Sequence, residues 1–539
     1  MPMNYPEAPL KEIFPACHHL VGPEKWEQLA GELTRAGQGA NLPAIIRAQG
    51  ASLILPPYLP ELAELEAATW ACRGEQGKLA DRPEAKILNP SLRILNCSWR
   101  NLATVLSPGE RPESAPTPGS ETLLVWLGPR SGRVRVQPAT DDDLLALKIT
   151  AEKLPIGPTA LKHGVAVANL HRVVEQARNK GLILAPEPLL LRDPDNFIPQ
   201  GKAFERFLKP RVFTLQWHIT QACDLNCKHC YDRSSRQTMS LEQAFYVLEQ
   251  LESFCAARRV RGKVTFTGGN PLLYPHFNTL YLEAVKRGFP VSILGNPTSR
   301  QRLEELVAIQ APTFYQVSLE GLPEHNDFVR QDGYFDRVLE FLPILKELGI
   351  FSQVMLTLTR DNMAQVLPLG EILRDRADLF TFNRLSAVGE GARLLMPDPA
   401  DYQAFLREYM AETVNNPVLG LKDNLINIIR DQEGRKPFGG CTGFGCGAAF
   451  NFLTLLSDGE LHACRKFPSF IGNIYQEGLN DAYDSPAGRR YRAGSAGCRD
   501  CKLLPACGGC QAVIYSSGLD PARDRDPYCF YAQAPGLPG

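Results

Sequence analysis

Apolar positions recur along this chain with two different periods, and the change of period divides it. In Trp26–Leu33 and Leu59–Ala71 they return every three or four residues, the spacing of one helix face, so residues 1–105 read as mostly helical. Pro56, Pro57 and Pro60 stand at the entrance of the second helix, where an absent N–H is tolerated. A loose stretch, Ser107–Ser120, with four prolines and two glycines, marks a boundary. Short apolar runs at Leu123–Leu127 and Arg133–Val136 flank a Gly/Pro/Ser turn and predict a hairpin. Thr140 caps the next helix, whose first turn holds Asp141, Asp142 and Asp143 at the positive end of the helix dipole. A short segment around Gly157–Leu161 leads to a helix over Val167–Lys180, with Val167, Leu170, Val174 and Ala177 on one face and Gly181 as its stop.

From Val212 to about Ala392 strand-like and helix-like runs alternate. Candidate strands lie at Phe213–Thr220, Val264–Thr267, Pro290–Leu294, Tyr315–Leu319, Ser352–Leu358 and Thr381–Leu385, separated by helical runs such as Leu241–Ala257 and Phe335–Leu348. Such alternation implies a parallel sheet with helices outside it, and functional groups at the C-terminal strand ends. Leu182–Lys209, rich in proline and charge, reads as a linker. The hairpin and the helices after it have the layout of a small winged helix. Winged helices often bind DNA, but the longer helix mixes His171, Arg172, Arg178 and Lys180 with Glu175 and shows no basic stripe.

Length and charge narrow the picture. At 539 residues and 44% apolar, the chain has material for roughly three or four domains. A formal net charge of −1 gives no call for nucleic acid or an anionic membrane surface. No apolar run approaches the ~20 residues of a membrane span, and MPMNYPEAPLKEIF lacks a basic segment followed by an apolar one. The expectation is a cytoplasmic protein with no nucleic-acid and no membrane partner. Fifteen cysteines in that setting argue for metal rather than disulfides. Three lie at 223–230 and eight between Cys441 and Cys529, whereas Cys17, Cys72, Cys97 and Cys255 are scattered and read as buried thiols. Cys17-His18-His19 offers metal-binding residue types, but no partner at ligand spacing.

Just past the first candidate strand, CDLNCKHC sets Cys223, Cys227 and Cys230 at C-x3-C-x2-C, with Tyr231 directly after. Three thiols on one short loop hold three irons of a four-iron cube and leave the fourth open to a small molecule. A structural zinc site usually takes four closed ligands, often as C-x2-C pairs, and is the competing reading. The loop resembles that of the radical S-adenosylmethionine (SAM) superfamily, in which the open iron binds the amino and carboxylate groups of SAM. That resemblance implies a partial (β/α)6 barrel. It also implies that Gly268, Gly269, Asn270 and Pro271, after the second strand, contact SAM through closely approaching backbone. Asn270 departs from the glutamate usual there, keeping a carbonyl acceptor and losing a charge. Ser318 and Glu320 match positions near the ribose, and Arg330 an arginine near the methionine carboxylate. His229 stands where an aromatic residue usually lies near the adenine, or else is a structural histidine.

Cys441, Cys446, Cys464, Cys498, Cys501, Cys507, Cys510 and Cys529 form the C-terminal field, with Gly459 at G-x4-C before Cys464 and Gly472-Asn473-Ile474 after it. This resembles the SPASM extension of peptide-modifying radical SAM enzymes, which carries two auxiliary four-iron clusters; eight thiolates suit two fully ligated cubes. The resemblance implies Cys441, Cys446, Cys464 and Cys510 for one cluster and Cys498, Cys501, Cys507 and Cys529 for the other. Only two residues, Gly508 and Gly509, separate Cys507 from Cys510, where the family usually has three. Two zinc sites are the alternative. Sulfatase-maturing members carry an aspartate beside the ligand matching Cys464; here Arg465 and Lys466 follow, which counts against that activity.

The fold implied is α/β: a partial (β/α)6 radical SAM barrel with an N-terminal helical plus winged-helix, peptide-recognition-like region and a C-terminal Cys-rich SPASM domain. Its divisions are 1–118 helical, 119–186 winged-helix module, 187–210 linker, 211–395 barrel, 396–440 helical bridge and 441–535 SPASM. LPPYLPELAELEAATW, NPSLRILNCSW and LLVWLGPRSGRVRV resemble peptide-recognition partner proteins of iron enzymes that modify ribosomally made peptides, which seat a peptide as an added strand. WHITQACDLNCKHCYDRS and CRKFPSFIGNIY are similar to thio(seleno)oxazole-modification maturases. The implied activity is radical modification of a Cys-containing precursor peptide, with SAM, three [4Fe-4S] clusters and a low-potential flavodoxin- or ferredoxin-type electron donor. A radical SAM enzyme of haem or quinone cofactor biosynthesis, acting on a small molecule, is the alternative; a non-catalytic electron-transfer protein is a third.

Overall fold

Helical periodicity near the N-terminus is realised as Pro23–Ala36 and Leu59–Arg73, the latter opening with a proline in its first turn. The structure, a computed structural model, describes residues 10–36, 41–75, 83–106, 114–198 and 201–531; the boundary segment at 107–113 and the last residues assigned to the SPASM region lie outside them. The chain divides into two units, 1–155 with 169–187 and 156–168 with 188–539.

In the first unit three antiparallel strands lie in the order β2-β3-β4, with β2 at Arg93–Arg100, β3 at Thr117–Leu127 and β4 at Val134–Pro138. A two-residue strand β1 (Ile87–Leu88) pairs with β5 (Ile183–Leu184). Leu59, Leu62 and Leu65 of the helix share one core with Leu123 and Val125 of β3 and with Phe14 and Leu29. Burying each such leucine contributes about 1.5–3 kcal/mol. Two expectations change here. Residues 1–105 are not all helical, because RILNCSWR forms β2, with Ile94 and Asn96 exposed between less exposed neighbours. The expected boundary at 118–119 falls inside β3, whose pairing with β2 joins the helical and hairpin parts. After the hairpin come helices at Asp141–Ala151, Ile156–His163 and Val167–Lys180, in the expected order. The Cys17 N–H donates to buried Glu66 at 3.0 Å and His18 packs on Trp26.

Local signals were sound. Thr140 and Asp143 form a reciprocal capping box. The helix Val167–Lys180 has the predicted bounds. Arg172 pairs with Asp142 at 2.9 Å and Lys180 with Asp143 at 2.7 Å.

In the second unit six parallel strands follow in chain order: β6 (Val212–Thr220), β7 (Arg261–Gly268), β8 (Val291–Leu294), β9 (Tyr315–Ser318), β10 (Ser352–Leu358) and β11 (Leu379–Arg384). Each expected strand is present, helices intervene, and the result is a partial (β/α)6 barrel. The sheet then continues past β6. Strand β12 (Phe452–Leu455) pairs in parallel with β6, and β13 (Glu460–His462) and β14 (Phe470–Asn473) extend it antiparallel. The cysteine-rich region is therefore built onto the strand that carries the three-cysteine loop.

Within the stretch read as a linker, Arg192 and Phe197 are buried. Arg192, 4% exposed, donates to the carbonyls of Arg492, Phe444 and Cys446 and lies against the rings of Phe197 and Phe450. At the end of β11, Arg384 is held by two carboxylates, Nε to Asp423 at 2.8 Å and Nη2 to Asp526 at 2.6 Å. Removing one side of a buried pair leaves uncompensated charge. Arg384→Ala is expected to lower unfolding stability by about 3–5 kcal/mol, read as a reduced denaturant midpoint.

Candidate functional site

The loop after β6 is pinned by three other strand ends. After β7, the Gly269 N–H donates to the carbonyl of Thr220 at 2.9 Å and the Asn270 N–H to that of Ala222 at 2.7 Å. After β9, the carbonyl of Val329 accepts from the Lys228 N–H at 2.9 Å, and after β11 the Glu390 N–H donates to the Cys230 carbonyl at 2.8 Å. Two glycines make the first contact possible. A Cβ on Gly268, at φ +135°, would meet the Thr220 oxygen at 2.2 Å, and one on Gly269 the Ala222 oxygen at 2.2 Å. Their small size serves the packing of the cysteine loop as well as the cavity wall.

Cys223, Cys227 and Cys230 line a cavity of about 360 Å³ together with Gly268, Gly269, His229, Ser318 and Arg330. Glu320, Asn270 and Pro271, expected among the SAM contacts, are not among the residues that line it. Glu320, 1% exposed, receives Arg330 Nε at 3.1 Å on one oxygen and the Thr357 N–H at 2.7 Å on the other. Burial works to raise its carboxyl, yet the adjoining His229, Arg330 and this N–H hold it below the usual carboxylate range. Arg330 Nη1 lies 3.5 Å from Cys227 Sγ, so Glu320 orients the cation beside the thiol. Burial pushes His229 down to about 4, leaving its imidazole neutral, and its Nδ1 has no partner although buried.

Asn270 Nδ2 donates to Asp224 Oδ1 at 3.0 Å and its own oxygen caps the Leu272 N–H. The loss of charge at Asn270 is met by a carboxylate from the cysteine loop itself. Asn296, which the sequence reading missed, donates to the same Asp224 oxygen at 2.6 Å and lies 3.8 Å from Cys223 Sγ. Its only signal was a Gly-Asn-Pro turn after the third strand. Tyr231 and His218 were also missed; the hydroxyl and Nε2 meet at 3.3 Å on the wall.

The eight later cysteines separate four and four. Cys441, Cys446, Cys464 and Cys510 line a second cavity of about 280 Å³, and Cys498, Cys501, Cys507 and Cys529 a third, smaller one. The short Cys507–Cys510 spacing is absorbed by Gly508 and Gly509, both left-handed at φ +65° and +61°, so the two thiols face different cavities. Burial raises the Cys464 thiol to about 11 and those of Cys510 and Cys498 to about 12. Among the described residues no three Cys, His, Asp or Glu side chains converge tightly enough for a single metal ion. Thiols spread around a cavity suit a multi-iron cube better than one tetrahedral zinc, and the unpaired buried Nδ1 of His229 leaves a polar atom for a ligand beside the first set.

Gly269→Ala tests the loop packing. It is expected to remove roughly four of about twelve irons from the reconstituted chain, while the auxiliary signals persist; iron analysis and electron paramagnetic resonance check this.

The family model for the radical SAM superfamily matches residues 217–371, and the iron–sulfur cluster-binding domain SPASM matches 446–511. The antilisterial bacteriocin subtilosin biosynthesis protein AlbA of Bacillus subtilis (strain 168) is 26% identical over 60% of this chain and 72% of its own. The AdoMet-dependent heme synthase of Methanosarcina barkeri is 24% identical over 60% of this chain and 97% of its own. The mycofactocin maturase MftC of Mycolicibacterium smegmatis is 28% identical over 60% and 84%. These domains bring SAM and [4Fe-4S] clusters as cofactors. The chain is a radical SAM enzyme with a C-terminal SPASM iron–sulfur domain.

Proposed function

We propose that this enzyme modifies a ribosomally made, Cys-containing precursor peptide engaged by its N-terminal unit, with a low-potential flavodoxin- or ferredoxin-type protein as electron donor. Cys223, Cys227 and Cys230 would hold the SAM-binding cluster. Cys441, Cys446, Cys464 and Cys510 would hold one auxiliary cluster, and Cys498, Cys501, Cys507 and Cys529 the other. The regions involved are the barrel at 211–395, the bridge at 396–440 and the SPASM region at 441–535. When bound, the first cluster and SAM supply a 5′-deoxyadenosyl radical for hydrogen abstraction. The chain's own share is placement. Arg330, oriented by Glu320, presents its guanidinium toward a carboxylate on the cavity side, where charge-assisted pairing is strong. Neutral His229 offers its free Nδ1 to a polar atom of the cofactor.

The observation that carries the peptide reading is the sheet of the first unit. Among the described residues β2 and β4 pair only with β3, so each keeps an outer edge of backbone donors and acceptors, and Ile94 on β2 is 48% exposed. Two of the relatives are named for bacteriocin biosynthesis and for mycofactocin maturation. The thio(seleno)oxazole subtype rests on the sequence phrases around Cys223 and Cys464 alone. Similarity to the heme synthase favours a second reading, a small-molecule enzyme of haem or quinone cofactor biosynthesis. That relative is matched over 97% of its length by 60% of this chain, so it has little left to correspond to the rest.

Anaerobic reconstitution of the full chain with iron, sulfide, reductant, SAM and the short peptides encoded beside its gene tests the proposal. Roughly twelve irons per chain are expected, with a peptide mass change that is lost in Cys223→Ala, Cys227→Ala or Cys230→Ala. Turnover of a porphyrin or quinone precursor, with every peptide unchanged, would establish the second reading. Ile94→Asp is expected to raise the apparent KM for the full-length precursor about tenfold, the equivalent of 1.4 kcal/mol, with kcat unchanged.

A further inference from the structure

The second cavity carries more positive charge than its surroundings balance. Lys263, Arg384, Lys422, Arg465 and Lys466 face it against a single carboxylate, Asp423. Arg384 is already neutralised by Asp423 and by Asp526. Arg465 donates to the Thr267 hydroxyl at 3.0 Å and lies over the Tyr231 ring, and neither partner is charged. Among the described residues the ammonium groups of Lys422 and Lys466 have no hydrogen-bond or ion-pair partner, and that of Lys263 meets only the Phe314 face at 4.7 Å. Burial lowers Lys263 to about 8, with no charged group acting against it. The cysteine set on the same wall supplies part of the counter-charge, since an oxidised four-iron cube with four thiolates carries about −2. A surplus remains. It is placed by Arg465 and Lys466, which line both the first and the second cavity.

We infer that Arg465, Lys466 and Lys422 form a receptor for a carboxylate of the substrate where the two cavities meet. The inference rests on the peptide reading and adds to it the chemistry recognised at the site, an acidic side chain or a free C-terminal carboxylate. Arg465 offers a planar fork and the two lysines point charges, the combination that gives charge-assisted hydrogen bonds their strength away from bulk water. A carboxylate there would tether the substrate between the three-cysteine loop and the Cys441 set.

The test uses the reconstituted full chain and three synthetic tripeptides followed by NMR line broadening: acetyl-Gly-Glu-Gly-amide, acetyl-Gly-Gln-Gly-amide, and acetyl-Gly-Gln-Gly with a free C-terminus. The Glu peptide or the free-terminus peptide is expected to bind at least tenfold more tightly than the Gln amide, and which of the two does so identifies the source of the carboxylate. That preference should fall at least fivefold in Lys466→Gln and Lys422→Gln and persist in Lys466→Arg, with iron content unchanged. Equal binding of all three tripeptides to the unaltered chain overturns the inference, whatever the variants do. Loss of auxiliary iron in both Gln variants with the preference intact also overturns it, making the lysines counter-ions of the cluster. A tenfold loss of SAM affinity in Lys466→Gln without a change in preference overturns it by placing that lysine at the cofactor. Failure of the peptide reading is separate, because it appears as encoded peptides of unchanged mass while the carboxylate preference stands.

Discussion

Strand β6 is hydrogen-bonded on both sides, and the site depends on that. Its Trp217 is paired in register with Phe266 of β7 and Leu455 of β12. One neighbour ends at the glycines that seat the cysteine loop, and the other opens the hairpin that leads to Cys464. The position of the three-cysteine loop relative to the Cys441 set is thus fixed by backbone ladders, not by a flexible connection. A displaced β6 would disturb the first cavity and the second together.

Around that frame, three arginines with little exposed surface are hydrogen-bonded within the protein, two of them by carboxylates and one by carbonyls. Glu320 and Arg330 satisfy each other and present a guanidinium at Cys227. Arg384 ties β11 to Asp423 and Asp526, and Asp526 in turn accepts the Cys510 N–H at 2.9 Å. Arg192 caps carbonyls of the cysteine-rich region, including that of Cys446. Such pairs add little net stability compared with apolar packing, but breaking one is costly, so they fix geometry. Each of the three arginines touches a candidate ligand residue or a group that holds one.

The strand–helix alternation and the three-cysteine spacing were legible because each is a short-range signal, whereas the four-and-four division of the later cysteines came from the resemblance, since Cys510 follows three cysteines of the other set in sequence. β2 was missed because its eight residues lie within a region dominated by helical periodicity and find their partner across the boundary segment, at β3. The joining of β12 to β6 pairs Phe452 with Thr214, a contact too distant in sequence for any local pattern to announce. Arg192 was hidden in a stretch whose proline and charge suggested a tether. Asn270 and Glu320 also hold protein partners that sequence could not announce, Asp224 for the first and Arg330 with the Thr357 N–H for the second. Spacing shows that a residue reaches the strand end; only packing shows whether its side chain reaches the cavity or the loop behind it.

The barrel interior departs from the usual filling of branched apolar side chains. Gln216, Thr265, Gln316, Gln353 and Asn383 face the second cavity from β6, β7, β9, β10 and β11. Gln316, Met355, Asn383 and Arg384 border both cavities, so the two cysteine sets share walls. Phe314, Phe452 and Phe467 stand among these polar groups on the wall of the second cavity. The strand amides can keep their hydrogen bonds with water or with an entering polar group at little desolvation cost, while the rings offer apolar contact beside them. The barrel strands and the residues beside them therefore set both kinds of surface between the two cysteine sets.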